Sequence, residues 1–337
     1  MTSPAAAPDF QRVPRFVGEG RIAAWDRPVP QPSARELLVA VRANALCGTD
    51  RYQLEAGSSV TPGHEAAGVV AAAGPGCAIA VGTPGVVYLM DFCGECRSCR
   101  LGASNQCLAK RADRGFTHDG GYGAYELVSD SQFFVIDSDL PFAEATLVLD
   151  VMGTTGHAIG RAGRLRDDIG SVAVAGAGPI GLGVIVMSRL LLGPDVPVIV
   201  GDVVPFRLRL AEELGARAID LRETAFPDDV DLAIDTAGKS TARRALLGAL
   251  GKRGVLVCVG HGEDLVLDVS ADLIAAERSV LGSEYFRFDE LPRNLALLRA
   301  HQAELAPIIT HRFPVSELAA AFRLFLSGAT GKVVVEQ

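Results

Sequence analysis

The sequence has no excess of positive charge: 32 Lys and Arg stand against 40 Asp and Glu, a formal net charge of −8. Such a balance lacks the broad cationic surface that phosphate backbones and anionic lipids require, which excludes nucleic acid and membranes as principal partners. The start, MTSPAAAPDF, has neither the basic nor the continuously apolar part of a secretory signal, so the expected location is the cytoplasm. One uncharged run, Ser171 to Ser188, approaches the length of a membrane helix, but Gly176, Gly178, Pro179, Gly181 and Gly183 interrupt it. A strand, a turn and a buried helix explain it better. There is no internal repeat, and low complexity is confined to the Ala/Pro start. A disulfide framework is not expected inside a cell, yet four of the seven cysteines crowd between Cys93 and Cys107.

What is present is the composition of a folded protein, with 49% hydrophobic and 21% charged residues over 337 positions, enough for two domains with separate cores. The first third consists of short β segments such as ELLVAVRANAL and EAAGVVAAAG, punctuated by Gly and Pro. From about Ala143, apolar strands alternate with helical runs: SVAVAG, a helix from Ile180, VPVIVGD, a helix through Arg207 to Leu214, then DLAIDTAG, GVLVCVG and RSVLGS. That alternation predicts a doubly wound parallel sheet. After Ser283 come amphipathic helices around Leu291 to His301 and Val315 to Leu326, then the strand KVVVEQ. The expected fold is α/β. A β-rich domain is built from residues 1–145 and 285–337, and a parallel-sheet domain from residues 146–284 is inserted between them.

VAVAGAGPIGLG places Gly176, Gly178 and Gly181 in a G-x-G-x-x-G pattern after a β run and before a helix, the context a dinucleotide fingerprint requires. The glycines allow a tight turn, close approach to pyrophosphate and helix packing, and the helix start at Pro179 and Ile180 offers N–H donors to the anion. Asp202 ends the next strand, where a carboxylate accepts ribose hydroxyls and repels a 2′-phosphate, so NAD is favoured over NADP. Arg207, one turn into the following helix, suits the adenine or ribose and could also tolerate a phosphate. The bland alternative is a glycine-rich turn in an unrelated sheet with a solvated Asp202.

Cys93, Cys96, Cys99 and Cys107 form C-x2-C-x2-C-x7-C, a spacing that closes a tetrahedron around zinc, with an iron–sulfur cluster or a redox pair as competitors. Four thiolates leave no position for substrate, so the lobe of residues 91–109 is structural. Cys77 and Cys258 are assigned to packing. ALCGTD carries Cys47, Thr49 and Asp50, and PGHEAAG carries His64 and Glu65; either segment alone is as consistent with packed residues as with a metal site.

Taken in order, the CGTD segment, GHE, the cysteine lobe, DGGYGAYELV, the glycine fingerprint with Asp202 and the GKVVVEQ end resemble the zinc-dependent medium-chain alcohol and polyol dehydrogenases. The resemblance spans nearly the whole chain. It implies a GroES-like catalytic domain, a Rossmann domain binding NAD, two zinc ions per chain (one catalytic, one structural), a small alcohol or carbonyl substrate, and a homodimer or homotetramer. By that resemblance Cys47 and His64 are catalytic zinc ligands and the third falls on Asp150 in LDVMGTTGHA, where relatives usually carry Cys or Glu. Glu65 is an exchangeable fourth ligand or a neighbour of the ligands, and Asp50 orients the His64 imidazole. Thr49 takes the substrate proton. A histidine often follows three positions later, but here that place is Tyr52, so the relay runs through Tyr52, Arg51 or water. The nicotinamide is expected near the backbone of Val259 and Gly260. Arg51, Tyr52 and Glu284 favour a sugar, polyol or cyclitol over a long aliphatic alcohol. The rival readings are a zinc-free double-bond or quinone reductase of the same fold, and a binding protein that keeps only the structural zinc.

Overall fold

Val172–Ala175 is a run of four apolar residues, all buried, as expected of a strand covered on both faces. The computed structural model, which describes residues 7–337, places it inside a six-stranded sheet. The first six residues, part of the Ala/Pro start, lie outside the described residues. The strand order is Arg217–Asp220, Val198–Asp202, Val172–Ala175, Val230–Asp235, Leu250–Cys258 and Ser279–Gly282, with every neighbouring pair parallel. Helices Pro179–Leu192, Pro205–Glu213 and Ser240–Ala249 provide crossovers. The order reverses between Val172–Ala175 and Val230–Asp235, and a crevice opens there beyond the strand ends. Five of the six strands were expected from apolar runs. The sixth, Arg217–Asp220, is an edge strand with a charged residue at each end, and its pattern is too short to stand out.

The second sheet runs Ile309–Pro314, Lys332–Glu336, Glu36–Ala45, Ala66–Ala73, Pro84–Val87 and Phe133–Val135, with Tyr125–Ser129 also paired to Glu36–Ala45. The tail strand Lys332–Glu336 lies antiparallel to Glu36–Ala45, Val334 opposite Ala45 and Val335 opposite Asn44. Lys332 is thereby carried to the end of Glu36–Ala45 that leads into Cys47. One continuous apolar core joins the sheets, including Tyr88, Leu147, Leu149, Met152, Val174, Leu182 and Phe286. Through it passes a π-helical turn, Asp150–Thr154, continued by the helix Thr155–Gly163. The turn is tightly seated: a Cβ on Gly153 would lie 2.3 Å from the Phe286 ring. Among the described residues no helix is long and apolar enough to cross a membrane.

Candidate active site

The strand Val172–Ala175 ends at Gly176, whose φ of +96° is a left-handed conformation that a side chain would strain. The backbone then turns so sharply that a Cβ on Gly181 would sit 1.8 Å from the Gly176 carbonyl oxygen. Thr236 buttresses the turn, its hydroxyl donating to the carbonyls of Ala175 (3.0 Å) and Gly176 (2.9 Å). Asp202 Oδ2 accepts from the Ala177 N–H at 2.6 Å, while Oδ1 accepts from Val203 and Val204 at 2.7 and 2.9 Å. These bonds fix the fingerprint loop against the next strand.

A cleft of about 900 Å³ follows. One end is lined by Asp202, Arg207 and Lys239, the middle by Gly176, Gly178, Pro179, Ile180, Thr236 and Ala237, and the other end by Cys47, Gly48, Arg51 and Lys332. Val259 and Gly260 stand at the neighbouring strand end, and both donate their N–H groups to the Asp235 carbonyl at 2.9 Å. The glycine fingerprint and the CGTD segment, about 130 positions apart in sequence, therefore share one cleft.

At the CGTD end four potential ligands converge. Cys47, His64, Glu65 and Asp150 each present a donor atom, and all four atoms lie within 4.8 Å of one another. Cys47 follows the strand Glu36–Ala45, and Asp50 begins the helix Asp50–Ala56. The buried Asp50 carboxylate accepts from the Cys47 N–H (3.1 Å) and the Tyr122 hydroxyl (2.6 Å), with its other oxygen 3.2 Å from His64 Nδ1. It therefore holds both the cysteine segment and the imidazole. His64 Nε2 faces Asp150 Oδ2 at 3.5 Å, and Asp150 heads the π-helical turn. The Glu65 carboxylate is paired through Oε1 with Lys332 Nζ, both fully buried.

This donor set fits a divalent cation. Thiolate, imidazole and carboxylate are zinc's usual ligands. Asp150 Oδ1 and Glu65 Oε2 are buried without a hydrogen-bond partner. Two carboxylates and a thiol share one buried site in which Lys332 and the His64 imidazole are the basic groups. Burial opposes charge on Asp150, yet His64 and Lys332 hold its carboxyl below the usual range. Burial and Asp150 push the Glu65 carboxyl upward, and Lys332 pulls it back. An added positive charge at the centre would let all of them ionise together.

The remaining expected residues divide into two groups. Thr49 joins the cluster, its hydroxyl 3.3 Å from Cys47 Sγ. Tyr52 does not: it is 48% exposed, and Arg51 lies over its ring and donates to its phenol oxygen at 2.9 Å. Glu284 also lies elsewhere, its carboxylate accepting from Gln106 of the cysteine lobe at 2.9 Å. Lys332, Tyr122 and Thr236 were not singled out from sequence. Lys332 alone left a signal there, a lysine heading the apolar run VVV in the tail strand.

In the cysteine lobe, Cys93, Cys96, Cys99 and Cys107 again bring four sulfur atoms within 4.8 Å of one another, and all four are free cysteines. Three sulfur pairs lie 3.5 to 4.0 Å apart. A tetrahedron with metal–sulfur bonds of about 2.3 Å has edges of about 3.8 Å, so the spacing fits zinc. Backbone N–H groups of Cys99 and Leu108 bring the Cys96 thiol down to about 6, whereas burial among its sulfur neighbours drives Cys99 up to about 12. Four thiolates side by side call for a cation.

Comparison with known proteins agrees with this geometry. Residues 33–138 match the family model of the alcohol dehydrogenase GroES-like domain, and residues 214–335 match that of the zinc-binding dehydrogenases. An L-threonine 3-dehydrogenase from Symbiobacterium thermophilum is 30% identical over 334 residues, which cover 91% of this chain and 92% of that protein. A zinc-type alcohol dehydrogenase-like protein from Escherichia coli K12 is 27% identical over 336 residues, covering 91% and 93%. A zinc-binding dehydrogenase from Sinorhizobium meliloti 1021, solved with NADP, has a TM-score of 0.85 and 29% identity, covering 98% of this chain and all of that one.

Proposed function

The chain belongs to the zinc-dependent medium-chain alcohol dehydrogenases, oxidoreductases acting on CH–OH groups, and from that premise we propose that it transfers hydride between a small polar alcohol and NAD. The observation that carries this reading is the shared cleft: Cys47 of the ligand cluster and Gly176 to Ile180 of the fingerprint line one cavity.

Cys47, His64 and Asp150 would hold the catalytic zinc, Glu65 would serve as an exchangeable fourth ligand, and Cys93, Cys96, Cys99 and Cys107 would hold a structural one. The catalytic ion supplies Lewis acidity toward the alcohol oxygen, and NAD in the cleft supplies the hydride acceptor. The protein's own groups do the rest. Asp50 keeps Nε2 of His64 turned inward by holding Nδ1. Thr49 Oγ1 takes the proton of the substrate hydroxyl and passes it outward. The exposed Tyr52 is turned toward Arg51, which supports direct release to water over a tyrosine relay. Asp202 and Arg207 hold the adenosine end, and the fingerprint amides hold the pyrophosphate. Lys332 pairs with Glu65 and offsets part of the burial that pushes its carboxyl up.

The substrate reading favours a sugar, polyol or cyclitol, because Arg51 lines the cleft beside Cys47 and can hydrogen-bond a polar substrate. Similarity to an L-threonine 3-dehydrogenase supports a polar alcohol. Glu284 adds nothing, being held by Gln106. A homodimer or homotetramer is compatible with the sheet's open edges, Ser279–Gly282 and Arg217–Asp220, each paired on one side only among the described residues. The direct test is nicotinamide absorbance during turnover of zinc-loaded protein with polyols, sugars, cyclitols, L-threonine and simple alcohols, first with NAD and then with NADP. Reduction with at least one polar secondary alcohol and NAD is expected. Inertness across the panel in both directions would contradict the proposal.

A further inference from the structure

Asp150 heads the π-helical turn Asp150–Thr154, a wide coil of a kind that is rare and persists where its neighbours hold it. One brace comes from residues 284–290, far along the chain. Phe286 is fully buried, and its ring fills the space over Gly153, where a Cβ would lie 2.3 to 2.6 Å from three ring atoms. His157, in the helix that continues the turn, sets Nδ1 2.9 Å from Glu290 Oε2, which also accepts the Arg287 N–H at 2.9 Å. The same segment thus touches both the turn and its helix.

The segment is itself anchored. Tyr88 Oη donates to the Phe286 carbonyl at 2.5 Å, the Phe288 N–H to Ser104 Oγ at 2.8 Å, and Asn105 Nδ2 to the Glu284 carbonyl at 2.8 Å. The Tyr88 ring meets those of Phe286 and Phe288 edge-on, each at 5.3 Å. Tyr285 adopts a φ of +49°, a left-handed backbone that a bulky residue rarely takes. Strain of that kind persists only where the surroundings over-determine it, and the residue that follows it is Phe286.

An aspartate has one carbon between backbone and carboxylate, so the seat of the Asp150 backbone decides whether Oδ2 reaches His64 Nε2, 3.5 Å away. Gly153 faces Phe286, whereas Asp150 faces Cys47 and His64. A turn that settles into space left by the ring therefore draws Asp150 back from its partners. We propose that Phe286 is a positioning residue for the candidate catalytic metal, its ring seating the turn so that a carboxylate as short as aspartate completes the ligand set. The inference rests on the ligand reading above, in which Asp150 binds the metal.

The test uses protein with zinc in the cysteine lobe, its Cys47 centre emptied by a chelator and then titrated with cobalt(II). Visible absorption is read for wild type, Phe286→Ala, Asp150→Glu and the double variant. Phe286→Ala is expected to bind cobalt about tenfold or more weakly, with shifted absorption bands. Glutamate, one carbon longer, should restore affinity to within about threefold of wild type when the ring is gone and give no gain when it is present. An Asp150→Glu effect of the same size with and without the ring would overturn the brace. If Phe286→Ala does not fold, Phe286→Leu carries the same criterion. Wild-type protein that takes up no cobalt at Cys47 would overturn the ligand reading and the brace with it. Wild-type uptake that Phe286→Ala leaves unchanged would overturn the brace alone.

Discussion

Asp50 touches no reacting atom in this account, yet three groups of the site depend on it: the Cys47 amide, the Tyr122 hydroxyl and His64 Nδ1. Replacing it with alanine leaves the imidazole free to rotate. Zinc affinity at the catalytic centre or turnover should fall about 10- to 100-fold, while zinc in the cysteine lobe is retained. Metal titration with a chromogenic chelator checks this. Glu126 makes a separate prediction. It is buried in the strand Tyr125–Ser129 with neither carboxylate oxygen hydrogen-bonded, and burial pushes it up to about 8 despite Arg114 nearby. The folded protein keeps that proton up to about pH 8, whereas the unfolded chain releases it near its ordinary 4.5. Stability therefore declines as pH rises through that window. Glu126→Gln, which mimics the protonated form, should melt higher than wild type, by a margin that widens from about pH 5.5 to about pH 8. A margin independent of pH would refute it.

At the scale of elements, the cysteine lobe is held by side chains that need a cation, not by apolar area. Its short helix, Arg97–Arg100, buries no residue. Cys96→Ser should remove one zinc per chain and lower the Tm, with NADH binding at the distant fingerprint retained; scanning calorimetry and metal analysis read both. The gathering of these four thiols was legible in sequence because all of them fall within one short segment, whereas the spacing alone left zinc, iron–sulfur and redox readings side by side. The parallel strands were legible for a similar reason, being uninterrupted apolar runs such as VAVA. Ile309–Pro314 was not, because its ITHRFP alternates polar and apolar residues and ends in proline. The catalytic cluster lies between these cases. Its candidate ligands come from a strand end, a turn and a π-helical turn, so no local pattern links Cys47, His64 and Asp150, and only the order of motifs pointed there. The partner of Lys332 was not legible, because pairing of the tail strand with Glu36–Ala45 is what delivers it to Glu65.

At the scale of the whole molecule, a parallel sheet supplies the cofactor end of the cleft and a sheet closed by the chain's tail supplies the ligand end. The long cleft sets the distance between them. Cations stand along it at Arg51, Arg207, Lys239 and Lys332, in keeping with an anionic dinucleotide between the two ends. The most direct test is anomalous diffraction at the zinc edge from crystals grown with NAD, for wild type and Cys47→Ser. Wild type should show two peaks per chain, one within the cysteine lobe and one among Cys47, His64 and Asp150 at the inner end of the occupied cleft; Cys47→Ser should keep the first alone. A wild-type map with zinc in the lobe and none at Cys47, under saturating metal, would contradict the assignment.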